Sequence, residues 1–263
     1  MEPYVPKYPL HTLSNALEVL NVISQSTSSD GMTLSAISEK LNLNKSTIHR
    51  ILDTLLAYNF VEKTPGVIKT YRLSWGAYKI GNSVPKYHTL NSSSYATIIE
   101  ELSNKLNRSC ILSINNEYAS VTIYKVDPLS QLPAQALIGA RNPLYATASG
   151  KLFMLNFTNE EIKNYFQHTD IKKFTSNTIL NYIDFLDELS KIKTNNYAMD
   201  NNEYEENSSC IAMPIRDYTN KIVAAISVNY STDEVSDAII EDIKIHLKKG
   251  CNQISSYLGY NIF

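Results

Sequence analysis

The stretch from Asn44 to Tyr58 constrains the fold of this chain more than any other part of the sequence. Its apolar residues recur at i, i+3, i+4, i+7 and i+8, the spacing of one face of an α-helix; they are Ile48, Ile51, Leu52, Leu55 and Leu56. The opposite face carries Ser46, His49, Arg50 and Asp53. The spacing therefore predicts a helix with one buried stripe and one polar face.

The segments on either side of this helix favour a winged helix-turn-helix over Thr33 to Ser74. Thr33 can cap a preceding short helix, and Asn44 is a suitable N-cap after a three-residue turn. An earlier helix is indicated by an apolar stripe of Leu13, Ala16, Leu17, Leu20 and Ile23. After the third helix, Phe60–Lys63 and Val67–Ser74 flank a Thr-Pro-Gly turn, which predicts a β-hairpin.

This arrangement predicts binding to double-stranded DNA. The N-terminal residues of a recognition helix reach base edges in the major groove, and a basic wing contacts phosphates. The residues predicted to contact DNA are Thr33, Ser35, Asn44, Lys45, Ser46, Thr47, His49, Arg50, Lys63, Lys69 and Arg72. The alternative for the helix alone is an ordinary amphipathic helix with a solvated face, and only the neighbouring hairpin and turn favour DNA binding over it.

The charge distribution agrees with a local DNA-binding face. From Lys40 to Lys79 the chain has seven basic and two acidic residues, a net charge of +5. The whole chain has a net charge of −2, so the remaining residues carry −7. A basic face on an acidic protein is typical of a regulator whose second domain does not touch DNA.

Composition predicts a globular protein of two domains. The chain has 263 residues, 43% of them hydrophobic, which is enough for packed cores. It has no long apolar run of the kind that spans a membrane and no signal-peptide pattern at its N-terminus, so we expect a cytoplasmic protein without a membrane partner. The three cysteines match no zinc or redox motif and are expected to be buried thiols.

The remainder of the chain predicts an α+β fold. We expect a DNA-binding domain over residues 10–75, a connector over 76–95 and a second domain over 96–260. In the second domain, Cys110–Ile114 pairs with Ala119–Val126, and Ser209–Ile215 pairs with Ile222–Val228. A further strand is expected at Gln135–Ile138. Helices are expected at Ala96–Leu106, Ala148–Phe157, Ile179–Ile192 and Asp233–Leu258.

Catalytic motifs are not found in the sequence. Gly150-Lys151 lacks the flanking residues of a phosphate-binding loop, and no Gly-x-Ser-x-Gly occurs. The five histidines have no metal-ligand spacing. Glu203, Glu205 and Glu206 are interpreted as a solvated acidic loop. We therefore expect neither an enzyme nor a cofactor.

Four segments of the N-terminal region resemble the DNA-binding domain of IclR-type regulators. They are Leu10–Leu20, Met32–Ser38, Asn44–Leu52 and Tyr71–Leu73. The string Lys-Ser-Thr-Ile-His-Arg-Ile-Leu within the third segment is the most specific of them. One departure is Ser74, which stands where the family usually has glycine after Tyr-Arg-Leu.

The resemblance extends to the second domain through Pro143–Lys151, Tyr197–Asp200, Cys210–Ile215 and Val223–Val228. It implies a GAF-like α/β sandwich that binds a small organic acid or aromatic metabolite. The implied effector residues are Leu129, Leu132, Ala148, Ser149, Asp200, Cys210, Ser227 and Asn229.

The residues themselves are compatible with that role. Ser149 near a helix start can present N–H groups to a carboxylate, and Ser227 and Asn229 lie on the same strand face. For each position a structural role, such as a helix cap or a small core residue, is an equal alternative. Asn229 stands where a smaller residue is common in the family, so the ligand can differ.

The sequence thus leads to one main hypothesis and one rival. The main hypothesis is a ligand-responsive transcription regulator, expected to be a repressor, that binds a pseudo-palindromic operator as a homodimer or a dimer of dimers. Repressor and activator are not distinguished by the residues themselves. The rival is an enzyme or metabolite-binding protein of GAF-like fold whose helical N-terminus serves only assembly.

Overall fold

The computed structural model of the chain describes residues 6–26, 28–66, 68–81, 83, 92–128, 136–232 and 236–260. These residues form two compact units, one within Pro3–Thr89 and the other within Leu90–Phe263. The first is helical with a small sheet, and the second is built around a large antiparallel sheet, so the mixed α+β fold class is confirmed. The helices of the described part of the chain include none long and apolar enough to cross a membrane.

The N-terminal unit is a helix-turn-helix with a short wing. Its elements in chain order are α1 (His11–Ser24), β1 (Met32–Thr33), α2 (Leu34–Leu41), α3 (Lys45–Ala57), β2 (Val61–Lys63), β3 (Thr70–Leu73) and α4 (Trp75–Gly81). Strands β2 and β3 are antiparallel, and β1 adds to the other edge of β3. Strand β3 of the wing is therefore hydrogen-bonded along both of its edges.

The helix predictions for this unit hold in most details. Thr33 caps α2 by accepting a hydrogen bond from the Ala36 amide at 3.2 Å. The stripe of α3 is the core of the unit, with Ile48 and Leu52 fully buried. The predicted stripe of α1 is only partly right, because Leu13 and Leu17 are exposed and the buried residues are Val19 and Ile23.

The C-terminal unit contains one six-stranded antiparallel sheet in the order β6-β5-β4-β9-β8-β7. The strands are β4 (Cys110–Asn116), β5 (Ala119–Val126), β6 (Arg141–Pro143), β7 (Ala198–Asn201), β8 (Ser208–Arg216) and β9 (Ile222–Ser231). The helices are α5 (Ser92–Leu106), α6 (Ala148–Met154), α7 (Asn159–His168), α8 (Tyr182–Asn195) and α9 (Asp237–Tyr257).

The two faces of this sheet are covered by different helices. One face packs against α5 and α9 through residues such as Leu112, Ile211 and Val228. The opposite face packs against α6 through Ala198, Cys210 and other small residues of the strands, and α8 packs against α6. We call this second side of the sheet the α6 face.

Two predictions for this unit are corrected, and one helix was not predicted. The strand expected at Gln135–Ile138 is wrong: Ala136–Ile138 is not a strand, Gln135 lies outside the described residues, and the pairing strand is β6. Gly139, with φ +86°, makes the turn into β6, and its amide donates to the Thr122 carbonyl at 2.7 Å.

The helix at Ala148 ends at Met154 rather than Phe157, because the Asn156 side chain bonds to both backbone groups of Ile222. Helix α7 was not predicted, although Thr158 and Glu161 form a capping box whose sequence signature is readable. The first difference involves a long-range contact, and the second a local capping box.

Candidate functional site

The polar face of α3 is exposed along its first two turns. Lys45, Ser46, His49 and Arg50 are exposed, and Thr47 is half-buried. Asn44 makes no side-chain cap, so the amides of the first turn are not blocked by it. The structure thus brings the predicted recognition residues onto one accessible surface, in the arrangement that major-groove reading requires.

The charged side chains on this surface differ in how they are paired. The His49 ring lies 3.0 Å from the Asp53 carboxylate one turn later. Arg50, in contrast, forms no ion pair with any acidic residue in the described ranges. An exposed guanidinium with no acidic partner is available to donate to a guanine edge or a phosphate.

The wing places its basic residues in three different environments. Lys69 is exposed in the loop between β2 and β3, and Lys63 is exposed with its ammonium 5.8 Å from the Tyr71 ring centre. Arg72 lies opposite Glu62 in the β2–β3 register, and its Nε donates to Glu62 Oε1 at 2.6 Å. Lys69 is therefore the least constrained of the three predicted phosphate contacts.

Thr33 and Ser35 occupy the start of α2 and are half-buried. The Thr33 hydroxyl oxygen accepts the capping hydrogen bond from the Ala36 amide. Its O–H group can still donate a hydrogen bond to a phosphate. Both residues thus remain predicted DNA contacts, with a structural role added for Thr33.

Ser74, the departure noted in the sequence, has a structural explanation. It is buried, and its hydroxyl donates to Asn59 Oδ1 at 2.8 Å, just beyond the end of α3. The Gly76 amide also donates to the Asn59 carbonyl, and a Cβ on Gly76 would lie 2.2 Å from that oxygen. The start of α4 is thereby fixed to the end of the recognition helix.

The α6 face brings together the effector residues predicted from the C-terminal unit. Asp200 of β7 pairs with Cys210 of β8, and Cys210 pairs with Asn229 of β9, so the three form one row across the sheet. Ser227 lies in the next row opposite Ala212. Leu129 and Leu132 fall outside the described residues.

Helix α6 lies over these two rows. Ala148 and Ser149 are buried in its first turn. Gly150 allows the first turn of α6 to lie against the segment that precedes it, because a Cβ there would lie 2.4 Å from the Leu144 carbonyl oxygen. Burial raises the pKa of the Cys210 thiol, which therefore stays protonated.

A buried ion pair holds α6 to the turn that follows β7. Lys151 is 0% exposed, and its ammonium lies 2.5 Å from Glu203, 2.9 Å from the Met199 carbonyl and 3.5 Å from Glu188. Glu203 is therefore not part of a solvated loop, and that prediction is wrong. Glu205 and Glu206 are exposed, as expected.

The Asp200 carboxyl group sits beside this ion pair and is only 6% exposed. Its Oδ1 accepts hydrogen bonds from the amides of Glu203 and Tyr204, at 2.6 and 3.4 Å. Burial raises the pKa of Asp200 to about 7, against the opposing effect of the Glu203 amide. The group is therefore divided between its neutral and ionised forms near neutral pH.

Sequence reasoning missed several polar residues of the α6 face. Ser113 and Asn115 alternate along β4, and Ser120 and Thr122 lie opposite them on β5. Lys125, opposite Ile111, lies on the same face with its ammonium 3.0 Å from Asp127. Small polar residues alternating within apolar strands were the available signal.

A metal centre is not indicated, since the described residues contain no group of three or more His, Cys, Asp or Glu placed to hold a metal ion.

Comparisons with protein families match nearly the whole chain. Residues 12–65 match the IclR helix-turn-helix domain, and residues 88–256 match the family described as bacterial transcriptional regulator IclR C-terminal. The DNA-binding transcriptional repressor YiaJ of Escherichia coli (strain K12) is 31% identical over 89% of this chain and 83% of its own length.

Solved structures agree with these matches. The crystal structure of the Thermotoga maritima IclR superposes with a TM-score of 0.79 and 26% identity, covering 96% of this chain and 100% of that one. An IclR homolog from Microbacterium hydrocarbonoxydans, complexed with 4-hydroxybenzoate, shares the fold with a TM-score of 0.77 at 17% identity, over 94% and 99% of the two chains. The relatives are named as transcriptional regulators rather than enzymes, which confirms the prediction of a non-enzymatic protein.

The Lys151–Glu203 pair generates a stability prediction. Lys151→Met leaves the Glu203 carboxylate buried without its cation, a change that costs about 3–5 kcal/mol. We expect calorimetry of the full chain to show the melting of the C-terminal unit lowered by on the order of 10 °C. The matched double variant Lys151→Met/Glu203→Leu removes both charges and should recover most of the loss. Equal melting of Lys151→Met and the parent would contradict the role given to this pair.

The Asp200 carboxyl generates a prediction about pH. Because its pKa is about 7 in the folded protein and 3.8 is the ordinary value, its ionisation destabilises the fold progressively as pH rises from about 4 to about 7. Asp200→Asn should therefore melt higher than the parent at pH 8, and this advantage should disappear near pH 4. The measurement is the melting temperature of both proteins across this range.

Asp217→Asn is the control with the opposite sign. Hydrogen bonding to the Thr219 side chain lowers the pKa of Asp217, so its ionised form stabilises the fold. This variant should melt lower than the parent at neutral pH and approach it on acidification. An Asp200→Asn advantage that is the same at pH 4 and pH 8 would show that burial does not disfavour the charge.

Proposed function

Because this chain belongs to the IclR family of bacterial transcriptional regulators, we propose that it is a repressor whose affinity for its operator is set by a small organic acid bound on the α6 face. The observation that carries the proposal is the exposed recognition surface of α3, with Arg50 free of acidic partners in the described part of the chain. The wing adds phosphate contacts through Lys69 and Lys63.

A ligand on the α6 face is supported by the row of Asp200, Cys210 and Asn229 under the start of α6. The homolog complexed with 4-hydroxybenzoate supports an organic acid as the class of ligand. Such a ligand changes operator occupancy only if it binds the DNA-competent and DNA-incompetent states with different affinity. The size of that difference sets the largest possible regulatory effect.

A homodimer is proposed from the apolar side chains that the N-terminal unit leaves exposed. Leu13 and Leu17 of α1 are 56% and 53% exposed, and Trp75 and Tyr78 of α4 are 74% and 62% exposed. Leu13 and Leu17 are one helical turn apart, and the Trp75 and Tyr78 rings lie 5.7 Å apart, so each helix exposes a pair of neighbouring apolar side chains of the kind found at protein–protein contacts. A dimer would place two α3 helices about 34 Å apart, as a pseudo-palindromic operator requires. A dimer of dimers remains part of the same proposal.

The DNA-binding role predicts specific losses in a mobility-shift assay on the DNA upstream of the protein's own gene. Arg50→Ala should weaken binding by about 10-fold or more, because one bidentate base contact contributes about 1–3 kcal/mol. Lys69→Ala should weaken binding to all sequences and reduce the slope of log K against log salt by about one. Lys173 is an exposed lysine of the C-terminal unit, and Lys173→Ala is the control. It should change neither the affinity for DNA nor the salt dependence of binding.

If the parent protein shows no salt-sensitive binding, or if Arg50→Ala and Lys173→Ala bind alike, the assignment of α3 as the recognition helix fails.

The dimer is tested with the double variant Leu13→Glu/Leu17→Glu. Charges on these exposed positions should convert the dimer to a monomer in analytical ultracentrifugation and reduce operator affinity at least 10-fold. Tyr218→Glu changes a more exposed large side chain of the C-terminal unit and should leave the mass unchanged. A dimer that survives the double substitution places the interface elsewhere.

A further inference from the structure

The loop between β2 and β3 of the wing carries an exposed aliphatic side chain beside its basic ones. We propose that Ile68 inserts into the minor groove of the operator as an apolar wedge, opens a base step there and bends the DNA. This inference rests on the proposed function, because it takes α3 as the recognition helix. It adds to the phosphate contacts of the wing a residue that affects which operator sequence is bound.

The first observation is that this loop presents apolar surface to the solvent. Ile68 is 71% exposed, and Pro65 and Gly66 are also exposed. In the sequence these residues belong to the uninterrupted run Pro-Gly-Val-Ile, of which Val67 lies outside the described residues. A turn is expected to be polar unless its apolar residues have a function, so this composition indicates contact with a partner.

The second observation is that the base of the loop is fixed. The Thr64 amide donates to the Thr70 carbonyl at 3.0 Å, the two threonine hydroxyls are hydrogen-bonded to each other, and the Thr70 hydroxyl donates to the Asp30 carbonyl. Tyr71, the next residue of β3, is 4% exposed and packs in the same core as Ile48 of α3. The loop is therefore held in a defined position beside the recognition helix.

The third observation is that the charge around Ile68 suits a nucleic acid. From Lys63 to Thr70 the sequence contains two lysines and no acidic residue. Glu62, the acidic residue just before this stretch, is paired with Arg72 at 2.6 Å. Lysines attract the loop to phosphates, and the aliphatic side chain between them then faces the groove that the phosphates border. This charge favours DNA over an apolar protein surface as the partner.

The dimensions of B-DNA decide which groove the loop reaches. An α-helix with its side chains is about 10–12 Å in diameter and the major groove is about 12 Å wide, so α3 fills that groove. The wing lies beside α3 and therefore meets the sugar–phosphate backbone and the neighbouring minor groove. Isoleucine has no hydrogen-bonding group with which to read a base edge, but it can enter between two base pairs and unstack them.

A wedge of this kind makes the affinity depend on how easily the DNA deforms. Pyrimidine–purine steps such as TA unstack readily, whereas A-tracts are stiff. The operator is therefore expected to favour a TA step under Ile68 in each half-site. Such a preference arises from the stiffness of the DNA and not from hydrogen bonds to the bases.

The test measures where and how the full-length protein contacts the DNA upstream of its own gene. Hydroxyl-radical footprinting locates the protected minor-groove positions, and fluorescence energy transfer between the duplex ends reports the bend. Ile68→Ala should weaken binding about 10-fold, remove the protection next to each half-site and reduce the bend. Because an uncharged contact releases no counterions, this variant should keep the salt slope of the parent, whereas Lys69→Ala should reduce that slope by about one.

Duplexes that differ only at the protected step test the sequence preference. The parent should bind a duplex with TA there about 5-fold or more tightly than one with AA, and Ile68→Ala should bind both alike. Ile68→Leu keeps an aliphatic side chain and should retain the preference. Ile68→Lys separates a wedge from a phosphate contact, because the added cation should strengthen binding to both duplexes and abolish the difference between them.

Ile183→Ala is the matched control, because Ile183 of α8 in the C-terminal unit is also 71% exposed. It should change neither the affinity, the footprint nor the bend. The inference is overturned if Ile68→Ala binds and bends the DNA like the parent, or if the parent binds the two duplexes equally. It is also overturned if Ile68→Ala changes the mass in analytical ultracentrifugation, which would place Ile68 at a protein contact. A parent without salt-sensitive binding is a different result, because it overturns the proposed function as well.

Discussion

The buried contact between Lys151 and Glu203 is the interaction on which the C-terminal unit of this protein depends. It joins the short helix α6 to the turn after β7, and the same lysine also donates to the Met199 carbonyl. The Glu203 amide, in the same turn, donates a hydrogen bond to Asp200 Oδ1 and so fixes the Asp200 carboxyl group. Removing the ion pair would therefore loosen both the helix start above the sheet and the acidic group that lies below it.

Local sequence patterns predicted the N-terminal unit well because its structure is local. The stripe of α3, the Thr33 cap and the basic hairpin are each determined by residues within a few positions of one another. The failure at α1 has a different cause. Periodicity identifies an apolar face, but it does not show whether that face packs within the chain, and Leu13 and Leu17 do not.

The C-terminal unit was less predictable because its site is assembled from distant strands. Neither spacing nor composition shows that β4 pairs with β9, and the row of Asp200, Cys210 and Asn229 was reached through family resemblance alone. Glu203 was misassigned for the same reason: a run of acidic residues is usually solvated, and its buried partner is 52 residues away. Ser113 and Thr122 were visible in the sequence only as breaks in apolar strands.

The protonation state of Asp200 connects the chemistry of the ligand to its orientation. Since burial raises the pKa of Asp200 to about 7, both forms of the group are accessible near neutral pH. A ligand hydroxyl donating to Oδ2 stabilises the ionised form and lowers this pKa, whereas a ligand carboxylate at the same place would raise it further. Burial is the main reason that a charge at Asp200 is disfavoured, and Glu203, although paired with Lys151, adds to it. Under the proposed function, a hydrogen-bond donor of the ligand would therefore lie at Asp200, and the ligand's carboxylate would lie away from it.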